Sequence, residues 1–212
     1  MLSFRSLVTG AAALVLAAPV TAQNGDKKPG KHENRALSAM ALAGQQVAIL
    51  PITMVVADPA AEPDSLYAPW RERASALRRA DSLIARELQT RGPEVTWVTP
   101  DELRKLARRA PGMVSDPDEM GQAMLRSPKL ERIPDHLAAS LRRMVAIAGG
   151  RMVLVPAALG FSHADSARFR ADLSLALVDT RRNEVVWRSV AVGRGAGPDA
   201  ALRSALLTVF PE

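Results

Sequence analysis

The chain has 212 residues, with 28 Lys plus Arg against 22 Asp plus Glu, 48% hydrophobic residues, 4% aromatic residues and no cysteine. This is the composition of an ordinary folded domain, far from a disordered or collagen-like chain, and no run beyond the first two dozen residues is apolar enough to span a bilayer. The missing cysteine excludes a disulfide framework, a cysteine-ligated zinc or iron–sulfur site, a thiol nucleophile and an acylated lipobox.

Arg5 followed by the apolar Leu7 to Ala18 stretch and then Pro19-Val20-Thr21-Ala22 has the order of a secretory signal peptide. Small side chains at Val20 and Ala22 place cleavage after Ala22, which makes residues 1–22 the signal, Gln23 the new amino terminus and the mature chain periplasmic or secreted. The alternative is an uncleaved membrane anchor, for which the apolar stretch is short. Cleavage removes one Arg and no acid, so the mature chain stays basic. Export and the absence of aromatics among the basic residues argue against nucleic acid, and scattered arginines such as Arg78, Arg79, Arg86, Arg142 and Arg143 read first as solvated helix faces. A peripheral contact with anionic lipid or wall polymer stays open.

Residues 23–44 are polar, lysine-rich and broken by Gly25, Pro29 and Gly30, which predicts a flexible tether ahead of one α/β domain over 45–212. Val47 to Ile52 with Met54 to Val56 forms a continuous apolar run, expected for a strand covered on both faces and interrupted near Pro51. A proline-rich loop over 57–70 follows, without regular structure. Apolar positions Leu77, Ala80, Ile84 and Leu88 then predict a helix over 71–90, ended by Gly92-Pro93. Val95 to Val98 is a short strand, and Thr99-Pro100-Asp101-Glu102 is a capping box that opens a helix running to Arg109.

Pro111, Pro117, Pro128 and Pro134 make 111–134 a long surface excursion with at most one helical turn around 120–125. Leu137, Leu141, Met144 and Ala148 define the next helix, closed by Gly149-Gly150, and Met152 to Leu159 is a second buried strand. A polar loop over 161–166 leads to an alternating strand from Phe169 to Leu177. After a turn over 179–183 comes a hairpin partner from Val185 to Val192, broken by Gly193 to Pro198, and a final helix carries Leu202, Ala205, Leu206 and Val209. The order predicts an α/β fold: a mixed sheet with helices packed on it, parallel crossovers first, then an antiparallel hairpin and a last helix.

The phrases "VAILPI", "AGGRMVLVPAALG" and "LSLALVDTRRNEVVWRSVAVGRG" carry a resemblance. Over residues 45–210 the chain resembles the TolB amino-terminal-like envelope domains, a group that includes CsgG and LpoB, with their "VAVLPF"-like first strand and "LVDATTGEVVW"-like hairpin. The resemblance implies an α/β architecture and a non-enzymatic binding or assembly role in the bacterial envelope, with no catalytic residues to carry over. Three features depart from the group: there is no lipobox cysteine, Arg182-Asn183 stands where the hairpin turn usually has Gly, and no pore-forming strand pair is visible.

Candidate chemistry is sparse. His163, in Phe161-Ser162-His163-Ala164-Asp165-Ser166, offers an acid–base or metal pairing with Asp165 near Ser162 or Ser166, against the reading as a plain polar turn; a secreted hydrolase built on it is the rival hypothesis. Gly193 to Gly197 before the last helix offers backbone amides to an anion, without the lysine of a phosphate loop. Asp116, Asp118 and Glu119 offer oxygen ligands in no recognised calcium spacing. Trp97 and Trp187 read as core packing, whereas Trp70, next to Pro69 and near Tyr67, reads as core or as an exposed contact. The leading expectation is a non-catalytic envelope protein that needs no cofactor and binds another envelope protein through segments 57–70 and 111–134, with Tyr67, Trp70, Asp116 and Met120 as contact residues.

Overall fold

The computed structural model describes residues 36–211. The expected export signal and residues 23–35 of the expected tether lie outside the described residues. The remainder of that segment is packed: a 3₁₀ turn spans Ala39–Leu42, Leu37 and Leu42 are buried, and the Leu37 amide donates to the Val209 carbonyl at 2.7 Å. The body therefore reaches back to residue 36, ahead of the expected boundary at 45.

The elements are β1 (Gln46–Ile49), β2 (Val55–Ala57), α1 (Arg73–Arg91), β3 (Thr96–Val98), α2 (Pro100–Arg109), α3 (Asp135–Ala148), β4 (Met152–Asp165), β5 (Arg168–Asp179), β6 (Glu184–Gly195) and α4 (Pro198–Val209). They form one mixed sheet in the order β3-β1-β4-β5-β6, with β3, β1 and β4 parallel and β4, β5 and β6 an antiparallel meander. The first apolar run is two strands. Pro51 has no N–H to give a ladder, so pairing with β4 lapses after β1 and resumes at β2, which lies parallel to the later part of β4 from Val55 opposite Leu159. In the gap the Ile52 amide donates to Asp81 at 2.8 Å.

Alternating strand residues separate two cores. Val47, Ile49, Leu154, Phe161 and Leu175 face α1 and α4; Ala48, Leu50, Val153, Val155 and Ala176 face α2 and α3. Helix α1 starts at Arg73, after the Glu72 carboxylate caps it by accepting from the Ala74 and Ser75 amides. The capping box of α2 is formed: Glu102 accepts from the Thr99 amide at 2.7 Å and the Glu102 amide reaches the Thr99 hydroxyl at 3.4 Å. Thr99→Ala is expected to cost about 1 kcal/mol, read as a lowered urea midpoint with unchanged slope.

Three expectations are corrected. Segment 57–70 contains a 3₁₀ helix, Ser65–Trp70, opened by Asp64, whose carboxylate accepts from the Leu66 amide. Pro69 is tolerated there because a single tight turn needs few amide donors. Residues 161–165 are strand, because Phe161 plugs the core and β5 pairs with β4 to its end, leaving Ser166-Ala167 as the turn. Lastly, β6 runs on through Gly193 to Gly195. A Cβ on Gly193 would lie 2.0 Å from the Ala205 nitrogen, so these glycines let α4 lie directly on the strand instead of ending it. The turn before β6 matches its sequence: Asn183 takes the left-handed conformation, φ 63°, in place of the usual Gly.

Candidate functional site

The long excursion over 111–134 is fixed to the body at several points, and the first is a buried guanidinium. Arg104, on the inner side of α2, donates to Asp81 of α1 at 2.6 Å, to both oxygens of Asp118 at 2.7 and 2.8 Å, and to Asp101 at 3.0 Å. Asp81 is as buried as Arg104, whereas Asp101 and Asp118 reach solvent. Burial pushes the Asp81 carboxyl up to about 6, against the pull of the Ile52 amide and of Arg104. Its hydrogen bonds to Asp118 and Asp81 hold Arg104 still further above its ordinary value, despite its burial.

The second point is Gln122, fully buried, whose amide donates to the carbonyls of Pro51 at 3.0 Å and Pro117 at 2.8 Å. The third is Arg188 of β6, which donates to the carbonyls of Ser127 and Leu130. Beside it the Val185 amide donates to Glu131 and the Ile133 amide to Asn183. A proline-rich segment that composition alone makes a loose loop is thus held in one shape, with its single 3₁₀ turn at Gln122–Arg126, near the expected 120–125. Its outer surface carries Met113, 66% exposed, with Asp116 and Glu119.

Of the four expected contact residues only Asp116 is exposed, and its carboxylate accepts from the Asp118 amide at 2.9 Å. Met120 is buried in the α2 and α3 core. Tyr67 and Trp70 are buried against Phe161, with ring centroids 5.8 and 4.8 Å away, and Trp70 is 2% exposed. The indole N–H of Trp70 donates to Asp199 at 3.0 Å, so this tryptophan fastens the loop to α4. The apolar side chains on the outside are their neighbours Leu66 and Met113, which pattern alone does not single out because each sits among polar and proline residues.

The His163 constellation is not assembled as a catalytic pair. Neighbouring strand residues point to opposite faces, so Ser162 and His163 cannot meet. The His163 ring packs edge-on against Phe169 at 4.9 Å, and its Nε2 lies 3.2 Å from Asp64, pinning segment 57–70 to the end of β4. Asp165 is taken by Arg168, whose hydrogen bond, followed by that of the Ala167 amide, holds its carboxyl below the usual range. His136 is exposed at the start of α3, and His32 lies outside the described residues. Among the described residues no group of three His, Asp or Glu is placed to hold a metal ion, and Asp118 of the acidic trio already faces Arg104. Gly193 and Gly195 serve helix packing, and Asp199 in the first turn of α4 accepts from Arg79 and from the Trp70 indole.

No family model matches the chain, and no curated protein matches it by sequence. Solved structures to which the chain is similar include the PelC dodecamer of Paraburkholderia phytofirmans, 13% identical over 85% of this chain and 94% of that one, TM-score 0.36. The LpoB C-terminal domain of Escherichia coli is 15% identical over 71% and 83%, TM-score 0.34. The hypothetical protein CT253 of Chlamydia trachomatis is 16% identical over 73% and 74%, TM-score 0.42. Overlap at this level is too loose for function to pass from those proteins to this one.

Proposed function

We propose that this is an exported, non-catalytic binding or assembly protein of the bacterial envelope, which docks a protein partner on the outer surface of the 111–134 excursion. The observation that carries the reading is the pinning of that excursion by Arg104, Gln122 and Arg188, since a surface held in one shape binds without first losing conformational entropy. The export-like amino terminus and the sequence resemblance to TolB-type envelope domains support this compartment and class. The contact surface centres on Met113 and Asp116, in place of the buried Tyr67, Trp70 and Met120.

A photo-crosslinking residue at Met113, introduced into the full chain in intact envelopes, is expected to capture a discrete protein that survives washing in high salt. The same residue at Leu207, on the opposite layer of the fold, is expected to capture none of it. Equal capture from both positions, or no protein from either, overturns the reading.

A further inference from the structure

On the layer opposite the excursion, α1 and α4 lie side by side with an open groove of about 460 Å³ between them, lined by Arg78, Arg79, Arg86, Asp199 and Arg203 above Leu83. Its arginines are in two different states. Arg79 is committed: its fork grips Asp199 at 2.6 and 2.8 Å, which raises its already high pKa, and Arg203 lies 3.6 Å from Glu87. Arg78 and Arg86 are exposed and have no ion-pair partner among the described residues. They stand eight residues apart on one ridge of α1, with Ser82 between them, a rise of about 12 Å along the helix. Farther along α4, one turn beyond Arg203, Leu207 is 45% exposed.

We propose that this groove seats the phosphate groups of an anionic lipid surface. A guanidinium fork binds phosphate through two parallel hydrogen bonds, and two unpaired forks two helical turns apart suit neighbouring headgroups better than one small ion. Leu207 adds an apolar contact at the level where headgroups meet acyl chains. The already satisfied Arg79 and Asp199 keep the two helices in register, so the free forks are presented on a fixed frame. The surface lies on the opposite layer from the protein-docking face, and this proposal stands or falls independently of that one.

The test is co-sedimentation of the full chain with vesicles of equal parts phosphatidylglycerol and phosphatidylcholine, against phosphatidylcholine alone. The neutral vesicles set the baseline for any partition of the apolar amino-terminal stretch. Excess binding to the anionic vesicles is expected, and Arg78→Gln with Arg86→Gln lowers it on the order of thirtyfold without shifting the unfolding midpoint. Arg142→Gln with Arg143→Gln, the same charge change on exposed positions of α3, leaves it intact. Equal losses in both double variants would reduce the effect to net charge and overturn the site. Calorimetric titration with inorganic pyrophosphate supplies the other arm: saturable binding lost in the Arg78/Arg86 variant, without any preference for anionic vesicles, overturns the lipid assignment in favour of a soluble phosphate compound.

Discussion

Arg104→Met is expected to cost about 3–5 kcal/mol of folding stability, the usual result of removing one partner from a buried ion pair. The loss comes from Asp81, which keeps one amide hydrogen bond from Ile52 and no cation in a site that almost excludes water. Asp118 is released at the same time, so the excursion loses its firmest anchor. Trypsin should then cut at Arg126, Lys129 and Arg132 well before the rest of the fold opens, which separates local release from global unfolding. Asp81→Leu combined with Arg104→Met should restore much of the stability, since a well-filled apolar pair replaces a charge without a partner.

The sign of the pH dependence follows from Asp81. Its carboxyl titrates at about 6 in the fold against 3.8 ordinarily, so between those values the native state holds a proton the unfolded chain has shed. Its contribution is therefore fully present below the ordinary value and is lost as pH rises through about 6. Removing Arg104 takes away the attraction that favours the ionised form and moves that loss to higher pH. The deficit of Arg104→Met in urea unfolding should accordingly be smaller near pH 5 than near pH 8; an equal deficit at both would show that Asp81 does not titrate in this range.

Gly193→Ala is the second large effect, expected at about 3 kcal/mol or more although it adds a single methyl group. The new Cβ would sit 2.0 Å from the Ala205 nitrogen and 2.3 Å from the Ala201 carbonyl oxygen, both backbone atoms of α4, so no side-chain rotation relieves the clash and the helix must lift off the sheet. Gly160→Ala is the matched comparison. It lies in β4, on the other side of β5 from Gly193, its nearest obstacle is the Asp172 carbonyl at 4.0 Å, and it should be neutral or slightly stabilising through the smaller entropy of the unfolded chain. Thermal unfolding of the two variants side by side checks the contrast, and similar midpoints would show that α4 does not rest on β6 as closely as described.

Those glycines also show where sequence reading stops. The capping box at Thr99, the stop at Gly92-Pro93 and the turn at Asn183 are local signals, set by groups within a few residues, and each was legible. The two apolar runs gave the buried strands β1 and β4 for the same reason, with the lapse at Pro51 visible because proline lacks a donor; β2 beyond it, expected to be covered on both faces, is half-exposed because it lies at the edge of the sheet against β4 alone. Gly193 and Gly195 look the same whether the chain breaks or a helix presses on it, since the deciding atoms are those of Ala201 and Ala205. Trp70 and Tyr67 sit among prolines and polar residues, and nothing local announces that Phe161 waits beneath them. The Arg104 network joins α1, α2 and the excursion, so its members carry no common spacing. His163 reads as part of a turn because Ser and Asp surround it, while the pairing with β5 that makes it strand is set by residues on the other side of the hairpin.

The sheet order has a consequence for how the chain assembles. From β4 to α4 every strand lies beside its successor in sequence, so that stretch can zip up through short-range contacts. Strand β1 has no such convenience: Val47 meets Met152 only after roughly a hundred intervening residues have been gathered in, a long loop to close. The parallel half of the sheet is therefore expected to form last, and a nascent chain released before Met152 would lack the strand that covers one flank of β1.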